Sequence, residues 1–349
     1  MEAAWKERIP QPVRGTALWS FGGRLWRAFR RRLRTPRSVI LARNYLYDAR
    51  RFARFSIPQS RLPDDREALS SHIVLDYHKL EKGLSLPSPK PGFGLSSIRK
   101  LAALVPVFER RYGSDEVTGA ARAALRSVVL PGREQGFAYE EAEGLLAGDV
   151  GSGEGGVLAV TRAAIHENSL KDLSGFFENR YSVRNFTAEP VAPELLAKAL
   201  RMAQKAPSVC NRQSARAYVF TTPEKKAQAL GFQNGNRGFG HRAGAVIIVT
   251  SDLRSFVSIG ERNQCWIDGG LFAMSLNYAL HSLGLGCCML NWSTEREVDR
   301  DMRKAMGIPD HEAVITMMAV GHLPEAFSVA RSQRRPLGEV ARFDTDFPA

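Results

Sequence analysis

The segment RYSVRNF, residues 180–186, marks the point at which a helical sequence gives way to one that mixes strands and helices. Arg180, Ser182 and Arg184 stand at alternate positions, and successive side chains of an extended segment point to opposite faces. The three side chains therefore share one face, with a hydroxyl between two guanidinium groups. Guanidinium is planar, always charged and bidentate toward phosphate oxygens, so this spacing predicts a phosphate site. A solvated basic strand edge is the alternative interpretation.

The sequence after this segment alternates helical and strand patterns. A helix is predicted within PVAPELLAKALRMAQKAPS, where Pro193 stands in the first turn. A long apolar helix follows in WIDGGLFAMSLNYALHSLG and ends at Gly284, and Thr294 with Glu297 predicts a capping box for a further helix. Four stretches are typical of strands, namely ARAYVFTT (215–222), AVIIVT (245–250), GCCML (286–290) and VITMMAVG (314–321). This order indicates an α+β or α/β fold without repeats.

The sequence before the segment is helical and divides into three predicted regions. Residues 1–60 form a basic amphipathic arm, and residues 61–150 form a helical region without a motif that points to a chemistry. The glycine-rich GDVGSGEGG, residues 148–156, indicates a boundary. We assign residues 151–171 to a linker and lead-in helix, and residues 172–349 to the mixed domain.

The basic arm carries most of the formal net charge of +13. Residues 1–60 contain fourteen lysines and arginines and three acidic residues. Within residues 16–37, leucines and phenylalanines recur at helical spacing among arginines, a pattern suited to an anionic membrane surface. A helix docked on the protein's own body, a solvated arm and a targeting segment are the alternatives. Nucleic acid is not expected, because no recognised binding module accompanies the arginines.

Composition narrows the class of protein further. No apolar run approaches the length of about eighteen residues that a spanning helix needs, so the sequence does not predict a transmembrane protein. The four cysteines form no Cys-x-x-Cys pair and no cluster with histidine, which indicates a reducing compartment without disulfides or a structural metal. We therefore expect a cytoplasmic protein, with peripheral attachment to the inner face of a membrane through the arm as the alternative.

From about residue 172 to its end, the chain resembles the FMN-dependent nitroreductase family. Four motifs carry the resemblance in order. They are the R-x-S-x-R of residues 180–184 with the following Phe186, APSVCNRQ (206–213), the long helix that leads into GLGCCMLNW (284–292), and GHLPE (321–325) followed by Arg334, Arg335 and Pro336.

The resemblance implies an α+β fold, with a mixed sheet flanked by helices, after an all-helical N-terminal region. It also implies a homodimer with two FMN sites at the subunit interface. In such a site Arg180 and Arg334 hold the FMN phosphate, Ser182 assists them, and Arg184 lies near the ribityl chain and the pyrimidine edge. Pro207, Ser208 and Asn211 of the partner subunit line the flavin, and the backbone N–H groups of Asn291 and Trp292 face its N5 atom. Tyr181, within the first motif, is a further cofactor-binding residue.

The implied activity is hydride transfer from NADH or NADPH through FMN to a nitroaromatic, a quinone or a related small acceptor by a ping-pong cycle. The flavin performs the chemistry, so no catalytic side chain and no metal are expected. Two alternatives remain open. One is a specialised membrane-associated flavin oxidoreductase of envelope, polysaccharide or secondary metabolism, and the other is a non-catalytic flavin-binding or scaffold protein.

Overall fold

A computed structural model describes residues 36–56, 65–85, 92–146, 155–157, 173–327, 329–330 and 336–343. By its contacts the chain divides into two units, Met1–Asp48 and Ala49–Ala349. Helix α1, Arg37–Phe55, runs through the boundary, and the structure leaves most of the basic arm, including residues 16–35, outside its description. The predictions for the arm and the domain limits therefore stay predictions.

Four helices form the next part of the chain and confirm its predicted helical character. They are α2 (Arg66–Leu84), α3 (Leu95–Tyr112), α4 (Glu116–Glu134) and α5 (Glu140–Leu146). Their apolar faces share one core that includes Leu69, Ile73, Leu101, Phe108 and Leu125, all without exposed surface. Asp115 caps α4, because its side chain accepts hydrogen bonds from two backbone N–H groups of the first turn.

The C-terminal half contains a four-stranded sheet in the order β1-β2-β4-β3. The strands are β1 (Ala215–Phe220), β2 (Ala245–Asp252), β3 (Leu285–Leu290) and β4 (Glu312–His322). The three pairings between them are antiparallel, and within the described residues the parallel pairing is a single bridge between Ser182 and Cys287. The sheet with its flanking helices confirms the α+β fold class.

The described helices of this half include four that pack on the two faces of the sheet. In chain order, the described helices of this half are α6 (Ser174–Glu178), α7 (Pro193–Ala203), α8 (Pro223–Leu230), α9 (Gln264–Ser282), α10 (Arg296–Met306) and α11 (Leu337–Val340). Every residue of β2 is buried, and its side chains alternate between two cores. Ile247 packs in the core that α7 and α9 complete, and Ile248 packs in the core that α8 and α10 complete.

Helix ends follow the sequence signals at Pro193 and Gly284 and depart from them at Thr294. Pro193 begins α7, and Gly284 and Gly307 follow α9 and α10 with φ of 77° and 71°. The capping box predicted from Thr294 is wrong, because Glu295 is the N-cap of α10 and its side chain makes no capping hydrogen bond. The Trp292 indole instead donates to the Oδ1 atom of Asp299 at 2.9 Å, which ties the preceding loop to the helix.

Ion pairs and hydrogen bonds fix the helical part of the second unit to the sheet. Glu67 of α2 pairs with Arg216 of β1 at 2.6 Å, and Asp65 pairs with Arg254 at 2.8 Å. Arg51 donates to the Asp310 carbonyl at 2.9 Å. Among the residues that the structure describes, no helix is long and apolar enough to cross a bilayer.

Candidate functional site

The RYSVRNF segment lies along β3, which is an edge strand of the sheet. Ser182 forms the parallel bridge with Cys287, and the Val183 N–H donates to the Cys287 carbonyl at 3.0 Å. Phe186 is fully buried against Gly321, where an added Cβ atom would lie 2.8 Å from its ring. The segment is therefore anchored by backbone pairing and by an aromatic ring packed directly on a strand.

Arg180 and Arg184 differ from three arginines of the C-terminal half that are paired. Arg212, Arg254 and Arg303 each pair with a carboxylate. Within the described ranges, neither Arg180 nor Arg184 forms an ion pair, and the one hydrogen bond of Arg184 goes to the Ser182 carbonyl at 3.4 Å. Among the described residues, these two cationic groups at the β3 edge thus have no anionic partner, as a phosphate site requires.

The electrostatic influence of these arginines reaches the two adjacent thiols of β3. Burial raises the pKa of Cys287 and of Cys288. The positive charge of Arg180 lowers the pKa of Cys287, and that of Arg184 lowers the pKa of Cys288. Burial outweighs the arginines, so both thiols stay protonated at neutral pH. Their role is packing in the sheet.

The loop after β3 holds the next two predicted residues. Asn291 is exposed, and its side-chain amide donates to the Ser293 hydroxyl at 2.8 Å. Its carbonyl accepts a hydrogen bond from the side-chain amide of the buried Gln233, whose Oε1 atom accepts from the Gly235 N–H at 2.6 Å. Gln233 therefore positions the end of β3, a role that the sequence did not indicate.

The APSVCNRQ motif lies before β1, the opposite edge strand of the sheet. Cys210, Asn211 and Gln213 adopt left-handed backbone conformations, with φ of 48°, 54° and 49°. Such conformations in residues other than glycine are uncommon and accumulate at binding sites. The motif is a strained loop that its surroundings must hold in place.

Three contacts hold this loop. Asp268 of α9 is buried and accepts hydrogen bonds from the Val209 N–H at 3.1 Å and from the Gln264 amide at 2.8 Å. The Ser208 hydroxyl accepts from the Gln213 N–H at 3.0 Å. Arg212 has a fully buried side chain that pairs with Glu261. Asp268 and Arg212 are positioning residues that the sequence patterns did not single out.

A single chain therefore separates the predicted flavin residues into two groups. Arg180, Ser182, Arg184, Asn291 and Trp292 are brought together along β3, whereas the loop of residues 206–213 leads into β1. The two edges are three strand spacings apart, which is about 14 Å. Tyr181 is half-exposed beside the first group. Arg334 lies outside the described residues.

The loop of residues 206–213 opens into a cavity of about 420 Å³. Pro207, Ser208 and Asn211 line one side of it, and residues of α2 line another. Cavities of this size accommodate small organic ligands. No sequence pattern indicated this cavity, because its walls come from distant parts of the chain.

Asp252, His311 and Glu312 form a compact group at the end of the sheet, with ligand atoms within 4.8 Å of one another. Arg254 pairs with Asp252 at 2.7 Å, and Glu312 accepts hydrogen bonds from Tyr218 and Thr250. Burial, with Glu312 beside it, raises the pKa of Tyr218 and keeps the phenol a donor. This group is an ion-pair and hydrogen-bond network that joins the strand ends.

Comparison with known proteins gave consistent matches for the C-terminal half. The model of the "Nitroreductase family" matches residues 177–322. A protein named "FMN reductase (NADPH)" from Bacillus subtilis (strain 168) is 25% identical over 159 residues, which cover 41% of this chain and 63% of the relative. A protein named "NADH dehydrogenase" from Thermus thermophilus is 27% identical over 179 residues, which cover 42% and 84% of the two chains.

Solved structures gave matches over a similar part of the chain. An FMN-dependent nitroreductase from Clostridium difficile R20291 is 23% identical and has a TM-score of 0.42, with coverage of 49% of this chain and 99% of the other. A nitroreductase family protein from Streptococcus pneumoniae TIGR4 is 20% identical and has a TM-score of 0.43, with coverage of 49% and 100%.

Proposed function

The nitroreductase family model matches residues 177–322, and from this match we propose that the protein is an FMN-dependent oxidoreductase. It takes hydride from NADH or NADPH and passes it to a nitroaromatic, a quinone or a related small acceptor in a ping-pong cycle. The supporting names are those of relatives that reduce FMN or oxidise NADH. The chain spans 63% of the length of the first relative, so the activity of the whole protein is part of the proposal.

One observation carries the proposal. Arg180 and Arg184 flank Ser182 at the β3 edge and form no ion pair with a described residue. A phosphate monoester carries nearly two negative charges at neutral pH, and two guanidinium groups with a hydroxyl between them match it in charge and in hydrogen-bond donors. The site residues present therefore fit the phosphate end of FMN.

FMN, when bound, supplies the hydride transfer itself. The chain supplies binding and orientation. Arg180, Ser182 and, by the family resemblance, Arg334 hold the phosphate, and Arg184 presents a cation to the ribityl and pyrimidine side, where negative charge grows on reduction. Gln233 holds the Asn291 carbonyl and so fixes the direction of the backbone at the end of β3.

A second copy of the chain completes the site in this proposal. The loop of residues 206–213 lies at the edge of the sheet opposite to Arg180 in its own chain, so it reaches a flavin through the partner. Helix α9 offers a surface for that partner, because Ile267 and Leu271 are 53% and 42% exposed. With Gly270 and Met274 they form one stripe at helical spacing. We propose that this stripe lies in a homodimer interface.

The test is the flavin content of the purified protein. Each guanidinium contributes charge-assisted hydrogen bonds worth about 1.5–3 kcal/mol, so Arg180→Ala or Arg184→Ala is expected to weaken FMN binding by about tenfold to 150-fold. Arg110→Ala, an exposed position in α3, is the matched control. Anaerobic addition of NADPH or NADH should bleach the yellow colour of the wild type. A colourless protein that fails to retain added FMN would overturn the proposal.

The uneven charge of the chain favours one refinement, attachment to an anionic membrane through residues 16–37. These residues lie almost wholly outside the described ranges, so the basis is the sequence alone. We propose sedimentation of the full chain with vesicles that contain phosphatidylserine. The comparison protein carries glutamine in place of the arginines at positions 24, 27, 30, 31 and 34. Equal sedimentation of both proteins rejects the attachment.

A non-catalytic flavin-binding or scaffold protein is the competing proposal. It retains FMN in the same way but does not turn over. Steady-state oxidation of NADPH or NADH in the presence of a quinone separates the two, because a scaffold shows no multiple turnover. Sustained turnover by the wild type, with loss in Arg180→Ala, rejects the scaffold.

A further inference from the structure

One face of helix α2 forms a wall of the 420 Å³ cavity. Glu67, Ser70, Val74 and Tyr77 line it, and their spacing of three or four residues places them on one side of the helix. The helix belongs to the region for which the sequence suggested no role. Its position beside the cavity gives that region a direct connection to the candidate site.

The opposite wall of the same cavity is the strained loop. Pro207, Ser208 and Asn211 line it, together with Phe272 of α9. Under the proposed function these loop residues face the flavin held by the partner subunit. The helical region of one subunit therefore encloses the space in front of the flavin of the other subunit.

Most of the charged side chains that line the cavity belong to ion pairs. Glu67 pairs with Arg216 at 2.6 Å, and Arg66 pairs with Asp115 at 2.5 Å. Arg212 pairs with Glu261 outside the cavity lining. A ligand in this space therefore meets paired charges and the buried Asp268 carboxylate, which already accepts hydrogen bonds from the Val209 N–H and the Gln264 amide. An uncharged ligand keeps these pairs intact, whereas an ionic ligand must compete with them.

Two hydroxyl groups in the wall remain available to a ligand. The side chains of Ser70 and Tyr77 make no hydrogen bond to any residue that the structure describes, and both line the cavity. Burial raises the pKa of Tyr77 to about 12, so its hydroxyl stays a neutral donor. Val74, Pro207 and Phe272 add apolar surface around these donors. Donors set in an apolar wall suit a planar molecule that carries carbonyl or nitro oxygens.

We propose that α2 is the specificity wall of the acceptor chamber, and that it acts in trans on the flavin of the partner subunit. The chamber selects an uncharged planar acceptor of one or two rings whose oxygen accepts a hydrogen bond from Ser70 or Tyr77. This inference rests on the proposed function. For a quinone, the acceptor gains one hydride, which comes from NADPH or NADH, and one proton, which comes from solvent water. It leaves as the hydroquinone, and the nicotinamide leaves as NADP⁺ or NAD⁺.

The wall is held rigidly against the sheet. Ion pairs join Glu67 to Arg216 and Asp65 to Arg254. Leu69 and Ile73 of α2 pack in the helical core, which also includes Val74 and Tyr77 of the cavity wall. A wall fixed by ion pairs and by core packing limits the length of an acceptor, whereas a movable lid would not. Size selection by α2 is therefore the property to measure.

The experiment follows reoxidation of the full-length protein after anaerobic reduction with dithionite, which removes the nicotinamide step from the measurement. Stopped-flow absorbance records reoxidation by p-benzoquinone, 1,4-naphthoquinone and the charged 1,4-naphthoquinone-2-sulfonate. For the wild type we expect faster reoxidation by the uncharged naphthoquinone than by its sulfonate. Ser70→Phe is expected to slow naphthoquinone by about tenfold to a hundredfold and benzoquinone much less. Tyr77→Phe is expected to slow both uncharged quinones by about threefold to tenfold.

Ser96→Phe is the matched control, because it adds the same ring at an exposed position of α3 outside the cavity. A yellow, reducible Ser70→Phe variant whose quinone rates equal those of the control would overturn the chamber. The proposed function would then still stand. Loss of flavin from the wild type, in contrast, rejects the proposed function. The two failures are thus seen in different signals.

Mixed dimers test whether the wall acts in trans. Arg180→Ala and Ser70→Phe subunits, with different affinity tags, are co-expressed and the mixed dimer is isolated. Its flavin is held by the Ser70→Phe subunit and faces the unaltered α2 of the other subunit. Wild-type discrimination between the quinones is expected at that site. Discrimination equal to that of the Ser70→Phe homodimer would show that the wall acts within one subunit and would refute the proposal.

Discussion

Replacement of Asp268 by asparagine tests how the strained loop is held. The carboxylate is 3% exposed and accepts from the Val209 N–H at 3.1 Å and from the Gln264 amide at 2.8 Å. Asparagine keeps one acceptor oxygen and turns an N–H group toward one of these donors. A buried donor without a partner, after loss of a charged acceptor, lowers the free energy of unfolding by about 1.5–3 kcal/mol.

We expect the Asp268→Asn substitution to destabilise the loop more than it destabilises the rest of the fold. Cys210, Asn211 and Gln213 hold left-handed conformations that cost about 1–2 kcal/mol each, so the loop relaxes when its anchor is removed. Under the proposed function this relaxation withdraws Pro207 and Ser208 from the partner's flavin. We therefore expect the Asp268→Asn dimer to release FMN at a lower urea concentration than the one at which its helices unfold.

The assay combines urea titrations followed by flavin fluorescence and by far-ultraviolet circular dichroism. Asp301→Asn is the control, because the side chain of Asp301 is 61% exposed on α10. The control should match the wild type in both transitions. If Asp268→Asn also matches the control in both, Asp268 does not anchor the loop and the reasoning fails.

The remaining predictions concern stability. Burial lowers the pKa of His72 despite the nearby Asp76 carboxylate. The unfolded chain therefore binds a proton at His72 more readily than the folded chain does, and the free energy of unfolding decreases as the pH falls below about 6.5. His72→Leu should remove this part of the pH dependence, seen as a smaller difference between urea midpoints at pH 7.5 and 5.5; an unchanged difference contradicts the assignment. Gly321→Ala should lower the free energy of unfolding by about 1–3 kcal/mol, because its Cβ would lie 2.8 Å from the Phe186 ring. Gly144→Ala, a helical position with nothing within 4 Å, is its control in the same urea titration and should not lower the midpoint. A Gly321→Ala midpoint equal to that of the wild type would show that the Phe186 contact yields freely.

Much of the fold could be predicted because its signals are local. AVIIVT is a short apolar run of β-branched residues, and β2 is buried along its whole length. Helix α4 received no separate prediction, since Gly119, Pro131 and Gly132 weaken its helical pattern. It forms because its apolar face completes the helical core, a tertiary contribution that propensity does not contain.

The candidate site, like the fold, has parts that the sequence predicted and parts that it did not. Arg180 and Arg184 could be predicted from their alternate spacing in the sequence. In the structure, neither has an ionic partner among the described residues. The left-handed conformations of Cys210 and Gln213 were not predictable, because these residue types rarely adopt them and the contact that enforces them comes from Asp268, far along the chain. The cavity wall that α2 forms was not predictable either, because residues from several distant segments of the chain enclose the cavity.

The self-contained core of α2 to α5 bears on the order in which the chain folds during synthesis. Its packing is complete by Leu146, before the ribosome has made any strand of the sheet. Domains fold as units from the N-terminus, and helical contacts that are close in sequence form fast. Asp65 and Glu67 are then surface carboxylates of a finished bundle, and Arg216 and Arg254 reach them later, when β1 and β2 emerge. The bundle thus serves the nascent sheet as a preformed docking surface.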